Sequence, residues 1–174
     1  MADTTGHDRV PLDARHSASV NMLSCRDDLG AAVAWWFLYK FPRDASPERH
    51  GFSGAAYALI TPTTSELHLS ESSVLLNSSA LGRSLSPIYQ ENVSFLLYND
   101  QPPGMTWYSS TAGHSKGVLM TDADGGGFFL QHSIPRFPAR PEEGYKYGDS
   151  QLKYGQHALC VNLDASGIDA VAYA

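Results

Sequence analysis

Short apolar runs alternate with polar, glycine-rich or proline-rich breaks along this chain, and their lengths predict strands more often than helices. Residues 31–39 (AAVAWWFLY) form an apolar, aromatic run closed by Lys40-Phe41-Pro42, short and bulky enough for a buried strand. Residues 55–60 predict a second strand, stopped by Pro62, and residues 66–73 a weak strand or loop. Ser78 or Ser79 can cap a short helix running through Ala80 and Leu81 towards Tyr89, with Pro87 kinking it or starting a second turn. Residues 93–98 (VSFLLY) read as a core strand broken by the sequence NDQPPG. Residues 117–121 and 128–132 flank Asp122-Ala123-Asp124-Gly125-Gly126-Gly127 as a hairpin would. A proline-rich loop spans 134–141, residues 157–163 form a last strand carrying Cys160, and the tail to Ala174 shows no clear element. Residues 1–21 are polar and charged, without the apolar stretch of a signal peptide, and read as a disordered or atypical extension before a domain over 22–174.

Composition narrows the class. With 43% hydrophobic and 17% charged residues, the 174-residue chain has the make-up of a single folded domain rather than of a disordered one. No apolar run approaches the ~20 residues that cross a bilayer, so no membrane partner is expected. A formal charge of −6 opposes nonspecific binding to nucleic acid at neutral pH. Seven histidines qualify this: protonating all of them would more than cancel that charge, and most of the change would be complete near pH ~5. Cys25 and Cys160 are either two buried thiols or a bridge closing a long loop, the latter stabilising by about 4 kcal/mol in the chain-entropy model. The sequons at Asn77 and Asn92 fit passage through the secretory pathway.

The residues that carry chemistry cluster in Gly113-His114-Ser115-Lys116-Gly117. In an extended chain, positions i and i+2 point the same way, so His114 and Lys116 would converge on one ligand. An imidazole can attack phosphorus or carry a proton, and an ammonium can neutralise a non-bridging phosphoryl oxygen. A solvated strand end is the plain alternative. For Asn99, Asp100 and Gln101, contact with substrate or orientation of a histidine stands beside simple strand termination. Asp122-Ala123-Asp124-Gly125 begins like a calcium loop but lacks the later ligands and the closing glutamate, and reads as a turn. The Trp35-Trp36 pair reads as core rather than as a base-stacking platform.

Six blocks extend the reading: WWFLYKFP (35–42), LGRSLSPIY (81–89), FLLYNDQPP (95–103), GHSKGVLM (113–120), HSIPRFP (132–138) and KYGQHALCV (153–161). In order and spacing they resemble deoxyribonuclease II, the acid endonuclease of lysosomes and secretions, from about Ser24 to Leu163. The resemblance implies an α/β fold like that of the phospholipase D superfamily: a sandwich half with a mixed β-sheet flanked by helices. It implies DNA as substrate, no divalent metal or other cofactor, a phosphohistidine intermediate and 3′-phosphate ends. Carried over by position, His114 and Lys116 fall on the first His-x-Lys of the family, and His132 on a further required histidine. Cys25 and Cys160 match a disulfide, and Asn92 a glycosylated position, with Asn77 a second sequon. Family members are about twice as long, and their second half carries another His-x-Lys that is absent after Lys116 here. The expectation is an N-terminal half that needs a second copy of the chain, or a missing half, to complete its site, or else an inactive phosphate- or DNA-binding module of the same fold.

Overall fold

The computed structural model describes residues 23–43, 52–90, 93–105, 113 and 115–174. The expected extension over 1–21, His114 and Asn92 lie outside the described residues. Seven strands form one sheet: β1 (Trp35–Lys40), β2 (Tyr57–Ile60), β3 (His68–Leu69), β4 (Ser94–Asn99), β5 (Lys116–Thr121), β6 (Gly127–His132) and β7 (Gln156–Leu163). Their spatial order is β3-β2-β1-β7-β6-β5-β4. Every pairing is antiparallel, so the strand directions are more uniform than a mixed sheet requires.

Strand β1 shows why the sheet has two unlike faces. Trp36, Leu38 and Lys40 are buried, whereas Trp35 and Tyr39 are exposed and Phe37 is half-buried. The run expected to be buried throughout therefore obeys the period of two of a half-covered strand. It also begins later than its apolar pattern, because residues 25–33 turn back on themselves. Arg26 bridges Ala32, Val33 N donates to Cys25 O at 2.9 Å, and Gly30 takes φ +84°, open to glycine but strained for other residues. Of the tryptophan pair, only Trp36 is fully core.

The inner face carries Trp36, Leu38, Tyr57, Leu59, Val118, Met120, Phe128, Leu130, Ala158 and Cys160 in the main core. Helix α1 (Ala80–Leu85) covers it by burying Leu81 and Leu85, each contributing about 1.5–3 kcal/mol. Ser79 supplies the expected N-cap, accepting from Gly82 N, and a 3-10 turn over Ser86–Tyr89 follows, with Pro87 at its start. The Trp36 indole N–H donates to Ser84 Oγ at 3.1 Å and locks helix to sheet. A disulfide joins Cys25 to Cys160, fastening the turn before β1 to β7.

The C-terminal tail corrects the sequence reading. Where no element was expected, α2 (Ala165–Ala172) forms, capped by Asp164, whose carboxylate accepts from Gly167 N at 2.9 Å. Its small residues hide the amphipathic signal, since alanines and a glycine make up much of it. With Leu96, Tyr98, Leu119 and Phe129, the helix encloses a groove on the outer face, so the two helices lie on opposite sides of the sheet. Residues 122–126 make the expected hairpin turn: Asp122 Oδ1 accepts from Asp124 N and Asp122 O from Gly125 N.

Asp28 is a hub that the apolar pattern did not mark. Its carboxylate accepts from the Tyr57 hydroxyl, from Ser70 Oγ at 2.5 Å and from Ala80 N at 2.8 Å, the last at the start of α1. An alanine at this position would orphan three donors and remove a negative charge from a helix N-terminus. We expect Asp28→Ala to cost about 2–3 kcal/mol in urea unfolding, with Asp28→Asn recovering part of the loss.

Candidate active site

Strands β4, β5 and β6 end together at one edge of the inner face. Asn99 pairs with Lys116, and Gly117 pairs with Gln131, a register that sets Lys116 across from His132. Gly117 is glycine for a physical reason: a Cβ there would lie 2.6 Å from the Tyr98 hydroxyl, against the ring of its paired neighbour. The motif glycine thus lets Tyr98 lie flat over β5 and leaves the preceding lysine at the strand start.

Lys116 is not a solvated strand end. It is 1% exposed, and its Nζ lies 2.5 Å from Asp100 Oδ1, on a carboxylate side chain that is itself 8% exposed. A buried ammonium needs a counter-charge to stay charged, and Asp100 supplies it. The alternatives left open for the 99–101 segment resolve into separate tasks. Asn99 Nδ2 donates to Phe137 O at 2.9 Å and to Ile134 O at 3.4 Å, while its Oδ1 accepts from Gln101 N. Arg136 N closes the arrangement by donating to Gln101 O at 2.8 Å. The end of β4 and the 134–137 loop are thereby held as one unit around Lys116 and His132.

His132 is 3% exposed. Its Nδ1 accepts from Ile134 N at 3.1 Å, which assigns the remaining ring proton to Nε2. The ring meets Phe137 edge-on at 5.7 Å, and Nε2 has no hydrogen-bond partner among the described residues. Burial first, then the charges of Lys116 and His157, push its pKa down from the ordinary 6.5 to about 3. The imidazole is therefore neutral across the mildly acidic range, with a buried N–H donor held ready. The cluster offers one ammonium and one neutral imidazole on one face, a donor set suited to phosphoryl oxygens.

The same sheet face holds, one inward position beyond the row of His132, Ala158 and Leu38, a residue that sequence reasoning missed. Lys40, 1% exposed at the end of β1, donates to Phe41 O, Gly54 O and Leu152 O at 3.0–3.3 Å. Burial, with Arg43 nearby, lowers its pKa to about 8. Three carbonyls fix it as a tie between β1 and two loops, and its only signal in the sequence was a lysine closing an apolar run. Among the expected modification sites, Asn77 is exposed before α1.

The deoxyribonuclease II family model matches residues 24–174, which include the Lys116–Asp100 pair, His132 and both cysteines. The chain belongs to the deoxyribonuclease II family. It is 39% identical over 149 residues to deoxyribonuclease-2-alpha of Sus scrofa, covering 83% of this chain and 41% of that protein. Deoxyribonuclease-2-beta of Homo sapiens is 36% identical over 155 residues, covering 86% of this chain and 42% of that protein. Plancitoxin-1 of Acanthaster planci is 32% identical over 147 residues, with 81% and 41% covered. The chain thus spans about two-fifths of the length of these relatives.

Proposed function

We propose that the protein supplies one half of an endonuclease site that cleaves DNA phosphodiesters in the acid range. The observation that carries this reading is the buried Lys116–Asp100 pair beside a neutral His132 whose Nε2 is unpartnered among the described residues. Lys116 neutralises a non-bridging oxygen, His132 Nε2–H donates to a second oxygen, and His114 is the reacting imidazole of this half. A second His-x-Lys comes from another copy of the chain, paired about a twofold axis, or from the additional length found in the relatives. One imidazole bonds to phosphorus and the bond to the 5′-oxygen breaks. The other, protonated, gives its proton to that oxygen, and water then releases a 3′-phosphate from the phosphohistidine. No cofactor takes part.

The low pKa of His132 supports giving the acid role to a His-x-Lys imidazole rather than to His132. The disulfide supports an oxidising compartment, lysosomal or extracellular, in which Asn77 and Asn92 carry glycans. Plasmid cleavage at pH 5 in EDTA, run alongside sizing chromatography, tests the scheme. Nicking by an oligomeric fraction, falling at least 100-fold in His114→Ala, is the expected result. Cleavage that requires added metal, or that survives His114→Ala, overturns the mechanism. A monomer that binds DNA in a salt-sensitive way without turnover would instead establish a binding module.

A further inference from the structure

A second group of cations lies away from Lys116 and His132, where the turn over residues 25–33 meets α1. Arg26 and Arg83 both reach Gly30. Arg26 Nη1 donates to Gly30 O at 3.3 Å, and the Arg83 guanidinium packs so closely on the other side that a Cβ on Gly30 would lie 3.1 Å from Nη1. Arg83 is fixed from behind by Nε donating to Ser78 O at 2.7 Å. A guanidinium carries five N–H donors, so each arginine here spends a small part of its capacity on backbone and keeps the rest.

With Gly30, Asn77, Ser78 and Ser86, these arginines line a cavity of about 360 Å³. Among the described residues, no acidic side chain lines it. The carboxylates next to Arg26 in the chain are committed elsewhere: Asp27 accepts from Leu29 N and Ala31 N, and Asp28 from Tyr57, Ser70 and Ala80. Among the described residues neither arginine makes an ion pair. Position in the last turn of α1 explains why a cation at Arg83 is tolerated, but not why a second one converges on the same glycine. In a chain of formal charge −6, two half-buried guanidiniums facing a cavity without a carboxylate among the described residues form a positive site.

We propose that Arg26 and Arg83 form a phosphate-binding site distinct from the Lys116–His132 cluster. It takes a tetrahedral oxyanion across the two guanidinium forks, with Ser78 and Ser86 lining the same cavity. The oxyanion is either a backbone phosphate of DNA or a free phosphate. This assignment does not depend on the nuclease reading, and the plasmid assay leaves it untouched.

Unglycosylated protein is used for the test, because Asn77 lines the cavity, and the double variant Lys116→Met/Asp100→Leu, which leaves no buried charge unpaired, serves as background so that binding at the other cluster does not count. Inorganic phosphate is titrated while amide NMR shifts are followed, and a short DNA duplex is titrated by fluorescence anisotropy at several salt concentrations. Saturable phosphate-induced shifts are expected at the Gly30 and Ser78 amides, with affinity reduced at least tenfold in Arg26→Gln and in Arg83→Gln. Arg83→Lys, which keeps the charge and loses the fork, is expected to weaken binding as well, and guards against an unfolded Arg83→Gln. If the site holds DNA, duplex affinity falls too, and the slope of log affinity against log salt drops by about one per arginine removed. If it holds free phosphate, only the phosphate titration changes. No shift at Gly30 and Ser78, or unchanged phosphate affinity in folded arginine variants, overturns the proposal.

Discussion

Asp100→Ala is expected to lower the free energy of unfolding by about 3–5 kcal/mol at pH 7, because it strands a buried ammonium without its counter-charge. Lys116 is 1% exposed and cannot turn to water without pulling the start of β5 away from β4 and β6. The pair as a whole is a different matter. Taking two charges out of water offsets much of their attraction, so replacing both by apolar residues of similar size costs far less than removing one. The double variant Lys116→Met/Asp100→Leu should therefore lie within about 1–2 kcal/mol of wild type while losing phosphate binding at this cluster. Urea unfolding of Lys116→Met, Asp100→Leu and the double variant completes the cycle. A loss below about 1 kcal/mol in Asp100→Ala would mean that the pair behaves as a surface ion pair, and would remove the argument that Lys116 is held in place for function.

That pair also marks the limit of what could be read from the residues. The strands were legible because each apolar run ends at a break of definite chemistry: Pro42 after β1, Pro62 after β2 and the NDQPPG stretch after β4. Ser79 and Pro87 announced α1 and its 3-10 continuation for the same local reason. Helix α2 was missed because alanine and glycine give no apolar stripe; it is held by its Asp164 cap and by contact with the outer sheet face. Lys116 and His132 were singled out through motif and resemblance, but their burial was not legible, since burial depends on which strands become neighbours. The same holds for Asp100, whose partner is 16 positions away in sequence and adjacent only once β4 and β5 pair. Nothing local distinguishes a strand-ending aspartate from a buried counter-ion.

His132 makes a second large effect measurable, through pH. Its pKa falls from 6.5 in the unfolded chain to about 3 in the folded one, so between these values the unfolded chain binds a proton that the folded chain does not. The stabilisation from the neutral ring is complete above pH ~6.5 and is lost progressively as pH falls towards ~3. At 1.36 kcal/mol per pH unit, this residue alone should cost about 2 kcal/mol between pH 7 and pH 5. His132→Asn retains an acceptor for Ile134 N but cannot titrate, so it should be less stable at pH 7 yet lose about 2 kcal/mol less on acidification to pH 5. Equal pH slopes for wild type and variant would mean that the ring is solvated in the folded protein. The consequence for the proposed chemistry follows from the causes of the shift. Desolvation and the Lys116 charge hold the ring neutral, and a phosphodiester placed between Nε2 and Lys116 would oppose the second of these with a negative charge. Binding should then draw a proton onto the protein, and affinity should rise as pH falls. Calorimetric titration with a short DNA duplex in two buffers of different ionisation enthalpy would register that uptake near pH 5. It should vanish in His132→Asn if the imidazole is its source.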